Sequence, residues 1–496
     1  MRILVVASAM TMFGLLALTT SALAETREWE APLRQSLTQM AARLNDTLKP
    51  WPVPDRIFRV TDYGAVGDGQ TVNTAEIQKA IDACSASGGG VVLIEKGEFV
   101  TGTIDLKSGV MLEITKGAKL LGSTNLIDYT DRIPKRPTVM DSNMKLKLSL
   151  IYAERCERIG IRGEGEIDGR GARKLFPGKT VGDELRGRPF LMRIIECKGV
   201  VMDGITLRGA AAWMENYLAC EDVILQHLKV ENIVNVNNDG VDIDGCRNVI
   251  VRDCFMNSED DGLCFKGASM RPLENVLVEN STFYTTCNAI KFGTDSEGGF
   301  RNVVIRNVKA GGPPDDLPVF KRQIGISGIA LQEVDGGVTE NIWITNVQLD
   351  RTNSPFCLRL GDRARTMPEM EKPRAGALRH VILEHISGTD HGVRGSIISG
   401  IPGAKIEDIL FSDLKLTVAG RGRQEDAERI VPENPATYPD AFSFGKTVPA
   451  WAFWMRHAQR ITFDNVTVTT ARPDARPAYD AKLDTEQIVL NGEPLQ

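Results

Sequence analysis

Over most of its length this chain alternates apolar and polar residues with a period of two, in short runs rich in Val and Ile. The runs repeat one pattern: a polar or small residue, Asn, Asp or Gly, then alternating β-branched positions. It reads CERIGI from Cys156, CKGVVM from Cys197, CEDVIL from Cys220 and CRNVIV from Cys246. It continues as LENVLV from Leu273, FRNVVI from Phe300, TENIWI from Thr339 and LRHVIL from Leu378, and KIEDILF from Lys405 and AQRITF from Ala458 are the last copies. Central copies lie 23–27 residues apart. That is too short for a strand–helix–strand crossover and enough for a coil of three short strands and three turns. Stacked coils make an all-β fold, a right-handed parallel β-helix of roughly ten rungs about 4.8 Å apart. Val223, Val249, Val276 and Val303 should then share one interior column. A leucine-rich horseshoe would need a leucine skeleton that the chain lacks.

The ends break the pattern. Residues 28–49 predict an amphipathic helix stopped by Pro50, and a second helix is expected from about Thr74 to Cys84 after a Gly-Asp-Gly turn. An open solenoid end exposes strand edges and apolar core, so a capping helix is expected there. The glycine turns match neither a dinucleotide fingerprint nor a phosphate-binding loop. Before them, Met1-Arg2, an apolar run from Ile3 and Ala22-Leu23-Ala24 read as a signal peptide cleaved after Ala24. The expected organisation is a signal peptide at 1–24, a helical extension at 25–54, the solenoid at 55–475 and a tail at 476–496. Insertions at 128–147, 310–324, 361–377 and 420–448 leave from corners, where loops line a functional groove.

Charge and cysteine content narrow the partners. A net charge of −6 argues against nucleic acid, so a polyanionic substrate must meet a local basic patch. Nine cysteines without a CxxC pair argue against zinc. Several, Cys156, Cys197, Cys220 and Cys246, recur at one place in the repeat, and the cysteines read mostly as core, with room for one or two disulfides. No later segment is apolar enough to span a bilayer. The expectation is a monomer, secreted or periplasmic, with no membrane contact after cleavage.

Candidate chemistry appears when three stretches are stacked. Writing NNDGVDIDG (237–245) over EDDGLCFKG (259–267) and TCNAIKFG (286–293) puts Asp239, Asp261 and Asn288 in one column. Val241, Leu263 and Ile290, then Ile243, Phe265 and Phe292, are inward columns. Asp242, Cys264 and Lys291, then Asp244, Lys266 and Gly293, point outward. Asp239, Asp260 and Asp261 sit at the corner just before the strands, one coil apart, and Gly262 allows a bend that brings the last two together. An isolated corner Asp commonly bonds turn backbone. Three on adjacent rungs repel, so they cannot all ionise normally, and a protonated acid beside an ionised base suits glycosidic cleavage. Calcium binding by the same acids is the other option.

At these residues the chain resembles glycoside hydrolase family 28, the polygalacturonase family, on a pectin-lyase-like β-helix. The likeness runs from FRVTDYGAVGDG and NTAEIQKAI through RPFLMRIIECKGVVMDGITLRGAAAW (188–213) to the acidic rungs. Asn237-Asn238-Asp239 matches the family's Asn-Thr-Asp, and Glu259-Asp260-Asp261, followed by Lys266, matches its Gly/Gln-Asp-Asp. The resemblance implies hydrolysis of a pectic polysaccharide without a cofactor or metal. Asp260 would be the general acid, with Asp239 and Asp261 activating water for inversion. Two motifs depart. The family's Gly-His-Gly is Cys287-Asn288-Ala289 here, with all five histidines elsewhere. Its Arg-Ile-Lys, which grips the substrate carboxylate, falls near Gly328-Ile329-Ala330. Lys291, or Lys321 with Arg322, would take over that grip. The expected substrate contacts are Asn237, Lys266, Asn288, Lys291, Lys321 and Arg322. A branched glycan such as rhamnogalacturonan fits nearly as well as homogalacturonan. A lyase using Lys266 or Lys291 as base, and a non-catalytic binding module with aromatic platforms, are the alternatives.

Overall fold

The structure, a computed structural model, describes residues 27–495 except 140, 142–146, 178–186, 321 and 368–369. The expected signal peptide and Lys321 therefore lie outside the described residues. The strands wind into a right-handed parallel β-helix in which each coil pairs with the next through one continuous hydrogen-bonded network. The register confirms the interior column: Val200, Val223, Val249, Val276 and Val303 pair in sequence. The column continues through Ile342, Val381, Ile409 and Ile461, and all nine are fully buried.

The polar residue of the repeat has a local cause. Asn248, Asn275, Asn302 and Asn341 all adopt left-handed backbone, φ 56° to 59°, which Asn tolerates better than most side chains. Their amides then bond from rung to rung: Asn275 to Asn248 at 3.2 Å, Asn302 to Asn275 at 3.4 Å and Asn341 to Asn302 at 3.1 Å. The cysteine column also stacks: the Cys156 N–H points at Cys197 Sγ and the Cys220 N–H at Cys246 Sγ, at 3.4 and 3.3 Å. All nine thiols are free, so no disulfide contributes.

Only one of the two predicted helices caps the solenoid. Helix α2 (Thr74–Ala86) sets Ile77, Ala80, Ile81 and Cys84 on the end of the core. Helix α1 (Glu30–Thr47) instead lies along the flank, packing Leu37, Met40 and Leu44 on outward residues such as Ile224, Ile250 and Leu277. Arg34 clamps it there with two bonds to Glu384, at 2.7 and 2.6 Å. The expected tail at 476–496 is corrected as well. Tyr479–Leu490 is a strand pairing parallel with Phe453–Thr470, so it completes the last rung. Its polar sequence hid it: a terminal rung has one neighbour and a wet outer face.

The 420–448 insertion decides the site. Its second half folds back over the outward face of the sheet, burying Val431, Ala441, Phe444 and Val448 against Ile326, Ala330, Cys357 and Ile397. Buried arginines tie it down: Arg456 donates to Val431 O at 2.9 Å, Arg359 to Asn434 O at 2.9 Å.

Candidate active site

The acidic corner is built by asparagines. Asn238, fully buried, accepts from the Val234 and Asn235 N–H groups at 2.9 and 2.6 Å and donates to Ala210 O and Ala212 O at 3.0 and 2.8 Å. That uses its whole hydrogen-bonding capacity to fix the turn. Asn237 then takes left-handed backbone, φ 53°, and reaches the next rung, with Nδ2 3.4 Å from Asp260 Oδ2. Arg188 holds Asn237 from behind, donating to its Oδ1 at 2.7 Å. Gly262 matters differently from the expectation: its φ is not left-handed, but a Cβ there would sit 2.8 Å from Ala289 O. It allows close approach of rungs.

Three carboxylates meet at this corner. Oxygens of Asp260 and Asp261 lie within 4.8 Å of each other, as do those of Asp239 and Asp261. Their environments push them apart. Burial, then the neighbouring Asp261 charge, raises Asp260 to about 6. Burial would raise Asp261 too, but the Lys291 and Lys266 charges and bonds from Lys291 and Asn288 hold it below the usual carboxylate range. Lys291 Nζ is 2.8 Å from Asp261 Oδ2, and Asn288 Nδ2 is 2.8 Å from Oδ1. Asp239 is driven well above that range by burial, followed by the charges of Asp242 and Asp260. Asp260 is partly exposed, whereas Asp239 and Asp261 are buried. The corner thus offers an accessible protonated acid beside a fixed anion.

The expected substrate contacts divide. Lys291 and Lys266 are not available to grip a carboxylate. Lys291 is 2% exposed and lies between Asp261 and Asp440, the latter at 3.5 Å. Lys266 is 3.3 Å from Asp242 and 4.5 Å above the Trp213 ring. Asn288 bonds Asp261 and, at 3.3 Å, Asp440. The reason is that the outward face is covered, by Trp213 at one end and the folded-back insertion at the other, so its charges must pair internally. Asn237 is partly exposed at the corner. Arg322 is exposed and docks on the acidic turn: its Nε donates to Thr286 O at 3.1 Å, and Thr286 Oγ1 donates to Glu259 O at 2.7 Å.

The two departed motifs have physical counterparts. Where the Arg-Ile-Lys would fall, a Cβ at Gly328 would lie 2.6 Å from Leu349, and Ala330 pairs beside Lys291 beneath the insertion. There is no room for that grip. In place of the missing histidine, Asn288 and Lys291 hold Asp261. No histidine among the described residues bonds the three acids; His227, His391 and His457 pair with Asp203, Thr352 and Asp484. Sequence reasoning missed Asp440, which bonds Gln332 at 2.9 Å as well as Lys291 and Asn288, and Tyr438, whose ring centroid is 5.8 Å from Lys291 Nζ. Both come from a non-repeating insertion, which carries no register signal. Arg188 and Trp213 lay inside the family-like stretch 188–213 but were not singled out.

Asp239, Asp261 and Cys264, or Asp260, Asp261 and Cys287, are close enough to share a cation. The buried Lys291 ammonium already occupies Asp261, and a divalent ion would have to displace it. Farther along, Asp295, Glu297 and Asp335 also converge, but Arg365 pairs with Asp295 and Arg363 with Asp335.

A parallel β-helix carrying a raised acid beside a lowered carboxylate at one corner describes a glycoside hydrolase. The chain belongs to glycosyl hydrolases family 28, whose profile matches residues 84–430. It is 23% identical over 390 residues to a Vitis vinifera protein named "Probable polygalacturonase", covering 74% of this chain and 75% of the relative. It is 26% identical to the exo-poly-alpha-D-galacturonosidase of Dickeya chrysanthemi over 51% of this chain, and that match spans 50% of the relative. In fold it is similar to a hyperthermoactive exopolygalacturonase from Thermotoga maritima, with TM-score 0.67 and 19% identity, covering 87% of this chain and 96% of that one.

Proposed function

We propose that this enzyme is exported and hydrolyses glycosidic bonds of a galacturonate-containing pectic polysaccharide with inversion. The observation that carries the reading is geometric: carboxyl oxygens of Asp260 and Asp261 lie within 4.8 Å of each other, Asp261 buried and bonded by Lys291 and Asn288, Asp260 partly exposed beside it. This arrangement raises Asp260 and lowers Asp261. Asp260 protonates the leaving oxygen. The Asp261 carboxylate, beside Asp239, takes the proton from the attacking water. Inversion is supported by the likeness of Asn237-Asn238-Asp239 and Glu259-Asp260-Asp261 to the family's motifs alone; the carboxyl oxygens of Asp260 and Asp261, within 4.8 Å of each other, are spaced more like a retaining pair. The polygalacturonase names of the relatives support the pectic substrate, and among the described residues Arg322 is an exposed cation beside the acidic turn, able to meet a uronate carboxylate. The segment Met1–Ala24 supports export with cleavage after Ala24.

The lyase alternative needs a neutral lysine as base. Lys266 and Lys291 are both pushed well above the ordinary lysine range: burial opposes this, but neighbouring anionic groups, Asp242 and Asp261 among them, outweigh it. Neither suits that role. The test is incubation of purified enzyme with polygalacturonate and rhamnogalacturonan. Proton NMR should show reducing ends of inverted configuration, with no absorbance growing near 235 nm. Products absorbing there would move the assignment to a lyase, and retained configuration would overturn inversion.

A further inference from the structure

The folded-back insertion buries its anchoring apolar side chains: Ala441 and Val448 are 0% exposed and Phe444 is 3% exposed. Two aromatic rings beside these anchors stay half in water. Tyr438 is 46% and Phe442 49% exposed, and their rings lie nearly parallel, centroids 6.0 Å apart with 15° between planes. Their orientation is anchored. Between them, Asp440 is 2% exposed and bonded to Gln332, Asn288 and Lys291. The 3₁₀ turn Ala441–Phe444 turns Phe444 inward onto Trp454 and leaves Phe442 outward. One ammonium group separates the Tyr438 ring from the Asp261 carboxylate.

Two flat apolar faces kept in water beside a reacting corner mark a binding surface. The apolar C–H face of a pyranose ring fits such a surface, while its hydroxyls and any carboxylate stay at the rim. Arg322 docks on the Glu259–Asp260 turn nearby. We propose that Tyr438 and Phe442 form a stacking platform for the sugar ring flanking the cleaved bond, on the side of the acids toward the C-terminal rungs. The inference rests on the hydrolase reading and deepens it. The insertion both locks Lys291 and supplies a substrate subsite.

The test is isothermal titration of galacturonan and rhamnogalacturonan oligomers of three to eight sugars into Asp260→Asn protein, with and without a change at Phe442. Phe442→Ala should weaken binding of the better oligomer about tenfold, Phe442→Leu nearly as much, and Phe442→Trp should restore it. Melting temperatures should match the parent, since the ring is half in water. Equal affinity for parent and Phe442→Ala, or a parent that binds neither glycan, overturns the platform. Hydrolysis by the wild-type enzyme reports separately: if it proceeds while Phe442→Ala binds normally, only the platform falls. If Asp260→Asn keeps full activity while Phe442→Ala binds weakly, only the acid assignment falls.

Discussion

Lys291 Nζ lies 2.8 Å from Asp261 Oδ2 and 3.5 Å from Asp440, in a space that leaves the lysine side chain 2% exposed. One residue belongs to the repeat, one to the next rung and one to an insertion about 150 positions later in the chain. A buried ammonium between two carboxylates is a structural charge, and it sets what the neighbouring acids can do. Removing it should leave Asp261 buried with only the Lys266 charge to offset its own.

Lys291→Ala is therefore expected to destabilise the fold by about 3–5 kcal/mol, the usual cost of breaking a buried pair. It should also raise the Asp261 pKa, moving the acid limb of the rate profile upward, with a larger effect on kcat than on KM. Calorimetry and a pH–rate profile read both. A variant that raises KM alone, at unchanged melting temperature, would return Lys291 to the role of substrate grip.

Asp260 and Asp261 act together. Asp260→Asn keeps the shape but removes the transferable proton, and should reduce kcat about 10²–10⁴-fold. Asp261→Asn should lose comparable turnover, and the double variant far less than the product of singles. Wild-type turnover should be indifferent to chelator, because Lys291 already serves Asp261. Silencing by chelator would point to calcium.

The rate profile should be bell-shaped and acidic. Asp260 donates only while protonated, so activity falls as pH rises through about 6. Asp261 accepts only while ionised, and its lowered pKa keeps it so well into the acid range, with the acid limb below the usual carboxylate value. Initial rates from about pH 3 to pH 8 check this, and a maximum above pH 7 would contradict it.

Stability should move the same way. Burial raises Asp244 to about 6, Asp242 to about 7, and Glu215 and Glu333 to about 8. Between the unfolded carboxylate pKa and these values the folded state binds more protons than the unfolded one. Stability is complete below the unfolded pKa and is lost as pH rises through each raised value. The melting temperature should be highest near the unfolded carboxylate value, about pH 4, and fall by several degrees toward about pH 8.5. A melting temperature that climbs over that range would mean these carboxyls are ionised when folded.

Arg188 tests positioning. It reaches Asp260 through Asn237, so Arg188→Ala should lower kcat about tenfold and shift the alkaline limb, while KM stays within about a factor of two. Arg188→Lys should recover part of the loss through the single bond it can make. A loss of melting temperature with unaltered kinetics would assign Arg188 to the turn alone.

The amino-acid sequence by itself determined the solenoid, its interior columns and the corner that carries Asp239, Asp260 and Asp261. These follow from period-two alternation repeated at the rung spacing and from Asn at left-handed turns, and both signals are local. It also placed Lys266 and Lys291 on the outward face. What happens on that face was decided only by tertiary structure, because solvent access depends on what folds over it. Trp213 and the 431–448 segment cover it, turning two expected substrate lysines into buried counter-charges and closing the place of the lost Arg-Ile-Lys. Asp440 and the Tyr438–Phe442 pair carry no repeat and no periodicity, and their partners are far away in the chain. Nothing in the linear pattern marks them: a long-range contact buries Asp440, and the turn it anchors leaves the two rings in water.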